Sequence, residues 1–413
     1  MSKINPFKPN SPVTAGMFAG RAKEINSLEK GLYQTKNGNG ANFLITGERG
    51  IGKSSLMSLL KHLASGALNT DYGKFNFVTV NVVVSDRTSL VTFIKLIERN
   101  IFRELSKVEA VRSFLADTWS FVQRIKVMDS GIEKSAAEAE SDLIIDEFAY
   151  SLSQTCRRIS HPEKGEQAKD GIVFIVDEVD NSCPDLHIGY FFKTVTEMLQ
   201  QHSCSNVMFV VAGLPEVVEK LAKSHESSIR IFNQLKVKEL NFNDTKYVLE
   251  RGLQEGNRVN TDKTSMGDYA KDHLASLSEG YPHFIQQFAY SAFDQNTDGE
   301  ISVEDVLEGA FNEGGAIDAI GSRYYEADYH SKIKSDEYRQ VLAIMAESMS
   351  EWIKKSDIRA KFSGDDQTLT DALRALTTRK IILKNPSKMG EYRLQQRGFA
   401  LWIKLFGSRA KTK

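Results

Sequence analysis

The sequence predicts an α/β protein: a parallel sheet with helices on both faces, then a smaller helical region and a basic C-terminal module. Three observations carry this expectation. Strand-sized apolar runs at 42–46, 75–84, 171–176 and 206–212 alternate with stretches of helical spacing, the order that crossover connections and a parallel sheet require. The run at 171–176 is apolar without alternation, as strands covered on both faces are. After about residue 240 helical spacing stands alone.

Taken in order, 42–46 reads as a short buried strand followed by a glycine-rich loop. Residues 54–64 read as a helix with Leu56, Leu59, Leu60 and Leu63 on one stripe. Residues 75–84, rich in β-branched side chains, are the second strand, and 90–105 an amphipathic helix. The stretch 129–141 is small, acidic and weakly patterned, which predicts a loop or a frayed insertion; 106–145 as a whole suggests no role. A helix at 142–159, a polar loop at 161–170 and the apolar strand follow. A helix at 190–201, the strand at 206–212 and a last strand at 235–240 complete the pattern. Helices are expected at 244–254, 265–278 and 283–294, and a linker with Gly314, Gly315 and Gly321 leads to the basic module.

The chain has 413 residues, enough for two or three domains. Its net charge of −1 conceals an asymmetry. Residues 331–413 hold 18 Lys+Arg against 9 Asp+Glu, a net +9 on a body of net −10. Nucleic acid is the usual partner of such a module, and a basic protein-docking surface looks the same. Cys156, Cys183 and Cys204 form no C-x-x-C pair, which argues for a reducing compartment and against zinc. No apolar run has the length of a membrane span, and residues 1–12 lack an apolar signal core. The expected location is cytoplasmic, with no membrane partner.

Gly47, Glu48, Arg49, Gly50, Ile51, Gly52, Lys53 and Ser54 match G-x-x-x-x-G-K-[ST] in full. Glycines let backbone N–H groups turn inward around phosphates, Lys53 reaches the β- and γ-phosphates, and the Ser54 hydroxyl coordinates Mg²⁺. The helix that starts here, with Ser55 in its first turn, adds its positive dipole end. The expected ligand is ATP with Mg²⁺. The bland alternative is a glycine-rich turn with a surface lysine, and the position between strand and helix argues against it. The strand at 171–176 runs into Asp177 and Glu178. Asp177 would hold Mg²⁺, directly or through water, and Glu178 would polarise the attacking water, so that the expected reaction is ATP hydrolysis. A helix N-terminus with acidic first-turn residues would look similar.

With these motifs, residues from about 12 to 295 resemble the AAA+ ATPases of the origin-recognition and replication-initiator type, and the related STAND signalling ATPases. Phe18, Ala19, Gly20 and Arg21, followed by 22–30, resemble the motif on the adenine side of the nucleotide. The resemblance implies a P-loop NTPase αβα sandwich of strand order 5-1-4-3-2 over 1–240, and a helical lid with linker over 241–325. The bland alternative for Phe18 is a hydrophobic staple before the following helix. The strand at 206–212 would end in a polar γ-phosphate sensor, but Ala212, Gly213, Leu214 and Pro215 offer none. Arg230 stands where related ATPases place an arginine finger acting on a neighbouring subunit; a surface or salt-bridged arginine is the alternative. Gly280, Tyr281, Pro282 and His283 resemble the G-x-P motif of STAND proteins. Pro282 and His283 are thus candidate nucleotide contacts, against a histidine that only starts a helix. Initiators carry an arginine in this region, and the local sequence has none.

The order helix, helix, helix, hairpin over 326–413 looks like a winged helix. Helices are expected at 337–349, at 358–362 capped by Ser356 and Asp357, and at 366–380. In such modules the third helix enters the major groove and the wing touches backbone. Arg374, Arg379, Lys380, Lys384 and Lys388 are the expected contacts to duplex DNA, although many winged helices dock proteins instead. Residues 294–305 nearly match a calcium loop, but position 12 is Asp305 and no second hand exists; a polar turn before a helix capped at Ser302 explains the same residues. The leading expectation is an ATP-switched, DNA-associated ATPase, acting with partner proteins or as a homo-oligomer. A STAND-like signalling switch is the second, and an ATP-binding scaffold without turnover the third.

Overall fold

Five parallel strands form the centre of the α/β unit, Arg21–Lys238, in a computed structural model that describes residues 3–11, 18–106, 109–128, 134–164, 166–326, 329–330, 333, 335–349, 351–379, 381–385 and 387–407. The chain runs through α1 (Ala22–Lys36), β1 (Asn42–Thr46), α2 (Lys53–Ala64), β2 (Val78–Val83), α3 (Leu90–Leu105), α4 (Glu109–Thr118), α5 (Phe121–Met128) and α6 (Lys134–Ser160). It continues through β3 (Ile172–Asp177), α7 (Ile188–Gln201), β4 (Val207–Gly213), α8 (Val217–Ser224) and β5 (Phe232–Lys236). The strand order is β2-β3-β4-β1-β5, the implied order read from the opposite edge. Every residue of β1 and β4 is buried, whereas the edge strands β2 and β5 expose part of theirs. This is why the central strands read as unbroken apolar runs. Phe174 and Phe209 stack at 5.0 Å on neighbouring strands, and Phe192 meets Phe209 edge-on at 5.4 Å. Each such ring contributes about 1.5–3 kcal/mol by burial.

Four expectations shift. The last strand lies at 232–236, not 235–240; it is an edge strand with only Phe232 fully buried. The buried Val237 and Leu240 that suggested the later span lie beyond the ladder, which closes with Val237 N–H donating to the Thr46 carbonyl at 2.8 Å. The supposed loop at 129–141 is helical from Lys134 onward; its alanines are strong helix formers, and the weak amphipathic pattern hid them. Residues 129–133 lie outside the described residues. The roleless stretch supplies core: Leu115, Trp119, Phe121 and Val122 are buried, and Trp119 Nε1 donates to Thr155 Oγ1 at 3.0 Å. On α2 the buried stripe uses Met57, with Leu59 only half-buried.

The second unit comprises Met1–Gly20 and Glu239–Lys413. Its elements are α9 (Phe242–Val259), β6 (Ser265–Met266), α10 (Asp268–Ser278), α11 (Pro282–Gln295), β7 (Glu300–Ile301), α12 (Val303–Phe311) and α13 (Ala316–Tyr324). Then come α14 (Asp336–Glu347), β8 (Ile353–Lys354), α15 (Lys355–Lys361), α16 (Asp366–Thr378), β9 (Ile382–Lys384), β10 (Glu391–Leu394) and α17 (Arg397–Phe406). The N-terminal residues are strapped to this unit: Ile4 N–H donates to Asn260 Oδ1 and Asn260 Nδ2 to the Ile4 carbonyl, both at 2.8 Å. The expected glycine linker is largely helical. Gly315 caps α13, and Gly321 lies inside it because a Cβ there would stand 1.9 Å from the Trp402 ring of α17. Residues 241–325 and 326–413 therefore share one packed unit. The expected three helices and hairpin are present, with β8-β10-β9 forming an antiparallel sheet. Helix α15 begins at Lys355, so Ser356 and Asp357 sit in its first turn and not at its cap. The calcium-like loop is satisfied internally: Ser302 and Asp305 form a capping box, and Asn296 Oδ1 accepts Gly299 N–H at 3.0 Å. Among the described residues no group of three or more histidine, cysteine or acidic side chains is placed to hold a metal, and no helix is long and apolar enough to cross a membrane.

Candidate functional site

Strand β1 delivers the chain into the loop at Gly47, where a Cβ would lie 2.8 Å from both the Val237 carbonyl oxygen and the Ile51 side chain. Only glycine lets the loop run this close to the segment leaving β5. Gly50 and Gly52 have φ of 78° and 98°, a region that strains residues bearing a Cβ. Gly52 caps α2, whose first amides have no intrahelical acceptor. Lys53 Nζ donates to the carbonyls of Gly47 at 2.7 Å and Glu48 at 3.0 Å. Burial draws the Lys53 ammonium below the ordinary lysine value, an effect opposed by the charges of Asp177, Asp180 and Glu48 and reinforced by Arg49. A desolvated cation held on backbone carbonyls is suited to receive an anion.

The fold brings the third strand to this loop across 123 positions of sequence: Ser54 Oγ donates to Asp177 Oδ2 at 3.0 Å. Asp177 Oδ1 accepts the Glu178 N–H at 2.8 Å. Glu178 is exposed, has φ of 58°, and accepts from Asn181 Nδ2 at 3.2 Å. A left-handed glutamate costs about 1–3 kcal/mol and persists where its surroundings over-determine it. The donor set fits magnesium: a hydroxyl and a carboxylate oxygen in contact, with a second carboxylate on the next residue.

One neighbour escaped the sequence reading. Asp180 Oδ1 accepts Leu214 N–H at 3.0 Å, and its carbonyl accepts Lys220 Nζ at 2.7 Å. A Cβ on Gly213 would lie 2.8 Å from Asp180 Oδ1. The close approach of Asp180 thus leaves no room for a side chain at the strand end where a polar sensor was sought. The only signal for Asp180 is its place three residues after Asp177. Arg21 is buried, with its guanidinium on the carbonyls of Ile51, at 3.1 Å, and Lys238; it braces the loop from behind. Arg230 is exposed on a short helical turn before β5 and pairs with no carboxylate among the described residues.

Phe18, Pro282 and His283 belong to the helical unit. Phe18 is half-buried. Gly280 has φ of 73° and approaches Leu240 so closely that a Cβ would stand 2.1 Å from its carbonyl oxygen. Pro282 then opens α11, whose first amides need no acceptor within the helix. His283 Nε2 accepts from Arg323 at 2.7 Å, which leaves the proton on Nδ1. That atom is buried and has no partner among the described residues. Burial and the Arg323 charge push the His283 pKa down to about 4, so the ring is neutral. Arg323 comes from α13, forty residues on in the sequence.

In the C-terminal elements, Arg374 and Arg379 are exposed on or just after α16. Arg374 pairs with Asp371 at 2.7 Å, and Arg379 lies 5.9 Å from the Tyr338 ring centre. Lys384 and Lys388 are exposed on the hairpin, with Lys388 4.0 Å from Glu391. Lys380 lies outside the described residues.

Residues 17–201 match the AAA ATPase domain. No curated protein sequence matches the chain. The fold is similar to that of a Walker-type ATPase of Pyrococcus abyssi, with TM-score 0.56 and 14% identity over 97% of this chain and 99% of that one. It is also similar to the ORC2 protein of Aeropyrum pernix in its ADPNP–ADP complexes, with TM-score 0.55 and 13% identity over 96% and 94% of the two chains.

Proposed function

From the AAA ATPase domain matched at residues 17–201 and a fold similar to that of the Aeropyrum pernix ORC2 protein, we propose that the chain is an AAA+ P-loop protein that binds and hydrolyses ATP as a switch controlling a DNA-associated C-terminal module. The observation that carries the reading is the meeting of Lys53, Ser54 and Asp177 at the mouth of α2. In it, Lys53 exchanges its loop carbonyls for phosphate oxygens, and the loop amides and the end of α2 stabilise the negative charge. Ser54 and Asp177 would hold magnesium, which would supply positive charge to offset that of the phosphates. Glu178, fixed by Asn181, orients and polarises water. Glu178→Gln should lower turnover by about 10²–10⁴-fold while sparing nucleotide affinity. Unchanged turnover in that variant sinks the assignment.

DNA association rests on the net +9 of residues 331–413 and on exposed cations along α16 and the hairpin. If it holds, duplex affinity falls steeply with salt. Neutralising Lys384 and Lys388 then reduces the slope of log affinity against log salt by about one for each phosphate that loses its cation. A second reading, a signalling switch with slow turnover whose C-terminal module docks protein, is favoured by β4 ending in Ala212 and Gly213 without a polar side chain. Salt-independent or absent duplex binding in the same titration selects it.

A further inference from the structure

At the edge of the sheet opposite the phosphate loop, the turns preceding β1 and β4 and the end of α6 enclose a solvent-open cavity of about 500 Å³. Cys156, from α6, and Cys204, from the turn after α7, both line it. The two thiols lie close enough to perturb each other, and Cys204 Sγ donates to Asn206 Oδ1 at 3.6 Å. Lys36, Arg157, Lys169, His161 and His202 line the same space, whose one carboxylate, Asp170, is paired with Lys36 at 3.1 Å. The cavity is therefore electropositive around two sulfurs.

The thiols are not equivalent. Cys156 is 1% exposed, and burial, aided by the neighbouring Cys204, pushes its thiol far up. Cys204 is 9% exposed and drawn below the ordinary thiol value, by the Cys156 thiol first, against burial, with help from the Asn206 backbone and the Arg157 charge. A thiol drawn down and less deeply buried, beside a fully buried one pushed up, is the asymmetry of a nucleophile and its resolving partner.

We propose that this cavity is a redox modification site in which a hydroperoxide oxidises Cys204 and Cys156 captures the product as an intramolecular disulfide. The Cys204 thiolate attacks the terminal peroxide oxygen. The O–O bond breaks, and the other oxygen leaves, with a proton, as water or an alcohol. The resulting sulfenic acid is attacked by the Cys156 sulfur; an S–S bond forms, the S–O bond breaks and water leaves. Two thiols give up two electrons, and the peroxide takes them. The two sulfurs line one cavity and close to the disulfide distance of about 2 Å when the bond forms. The cross-link then ties the end of α6 to the start of β4, where Asn206 Nδ2 already donates to Ser160 Oγ at 2.8 Å.

The test treats the full chain with hydrogen peroxide and follows free thiols and intact mass. Cys183, half-buried with its thiol donating to the Thr88 carbonyl, is the internal reference. The expected result is rapid loss of two of the three thiols and of two hydrogens, reversed by dithiothreitol, with peptide mapping joining Cys156 to Cys204. In Cys156→Ser a sulfenic acid accumulates on Cys204 and is trapped by dimedone. In Cys204→Ser the fast phase disappears. Arg157→Gln slows that phase several-fold and Arg157→Lys restores it. A wild-type Cys204 that reacts no faster than Cys183, or a disulfide that forms only between chains, overturns the proposal.

Discussion

At Gly47 two backbones pass with no room for a methyl group, so the substitution Gly47→Ala must push the loop away from Val237. Such overpacking costs about 1–3 kcal/mol, and if half of it falls on the loop's binding shape, nucleotide affinity drops about threefold to tenfold. Titration with a fluorescent ATP analogue measures this, and an unchanged affinity means that the loop yields freely. The residues of this loop were readable in the sequence because they are contiguous and each has a chemical reason to be there. Asp180 and Arg323 were not. Asp180 matters through its approach to Leu214, and Arg323 through its contact with His283; both contacts exist only once distant segments pack. His283 was read as a possible phosphate contact, and nothing in its neighbours revealed that it would be a neutral ring accepting from an arginine.

Among the elements, α12 shows local chemistry prevailing over a motif. Its capping box takes up Asp305, with the Ser302 hydroxyl accepting Asp305 N–H at 3.1 Å and the Asp305 carboxylate accepting Ser302 N–H at 2.8 Å. Ser302→Ala should destabilise the helical unit by about 1 kcal/mol, seen as a lower denaturation midpoint, with no response to calcium in either form. Elements with a strong apolar period were readable to their ends, as α3 was, capped by Ser89 accepting from Thr92 N–H at 3.2 Å. Strand β5 was misplaced because an edge strand needs little apolar sequence. The beginning of α6 was missed because alanine favours a helix without marking a face.

On the scale of the helical unit, two titrating groups pull in opposite directions. Burial raises Glu279 from 4.5 to about 7, against the Arg397 N–H it accepts at 2.7 Å and the charges of Arg397 and Arg393, and with Glu239 adding. Its folded value lies above its unfolded one, so its contribution is full below pH 4.5 and is lost as pH rises through 7. His283 is lowered from 6.5 to about 4; its contribution is full above pH 6.5 and is lost as pH falls through 4. Between pH 4.5 and 6.5 the two slopes offset, and the unit's stability should be nearly flat. Glu279→Gln should expose a rise with pH and His283→Asn a fall, each at most about 1.4 kcal/mol per pH unit. Protection factors of α10 and α17 amides measure both, and a steep wild-type profile refutes the offset. The basic tail was visible in the charge count, whereas its packing against α13 was not, because glycines at 314–321 read as a linker.

That packing has a genetic consequence. Where α13 lies against Trp402, residue 321 is a keyhole that admits only hydrogen. Any enlargement there acts as a wedge between α13 and α17. Alleles at this codon would therefore loosen the C-terminal elements from α13.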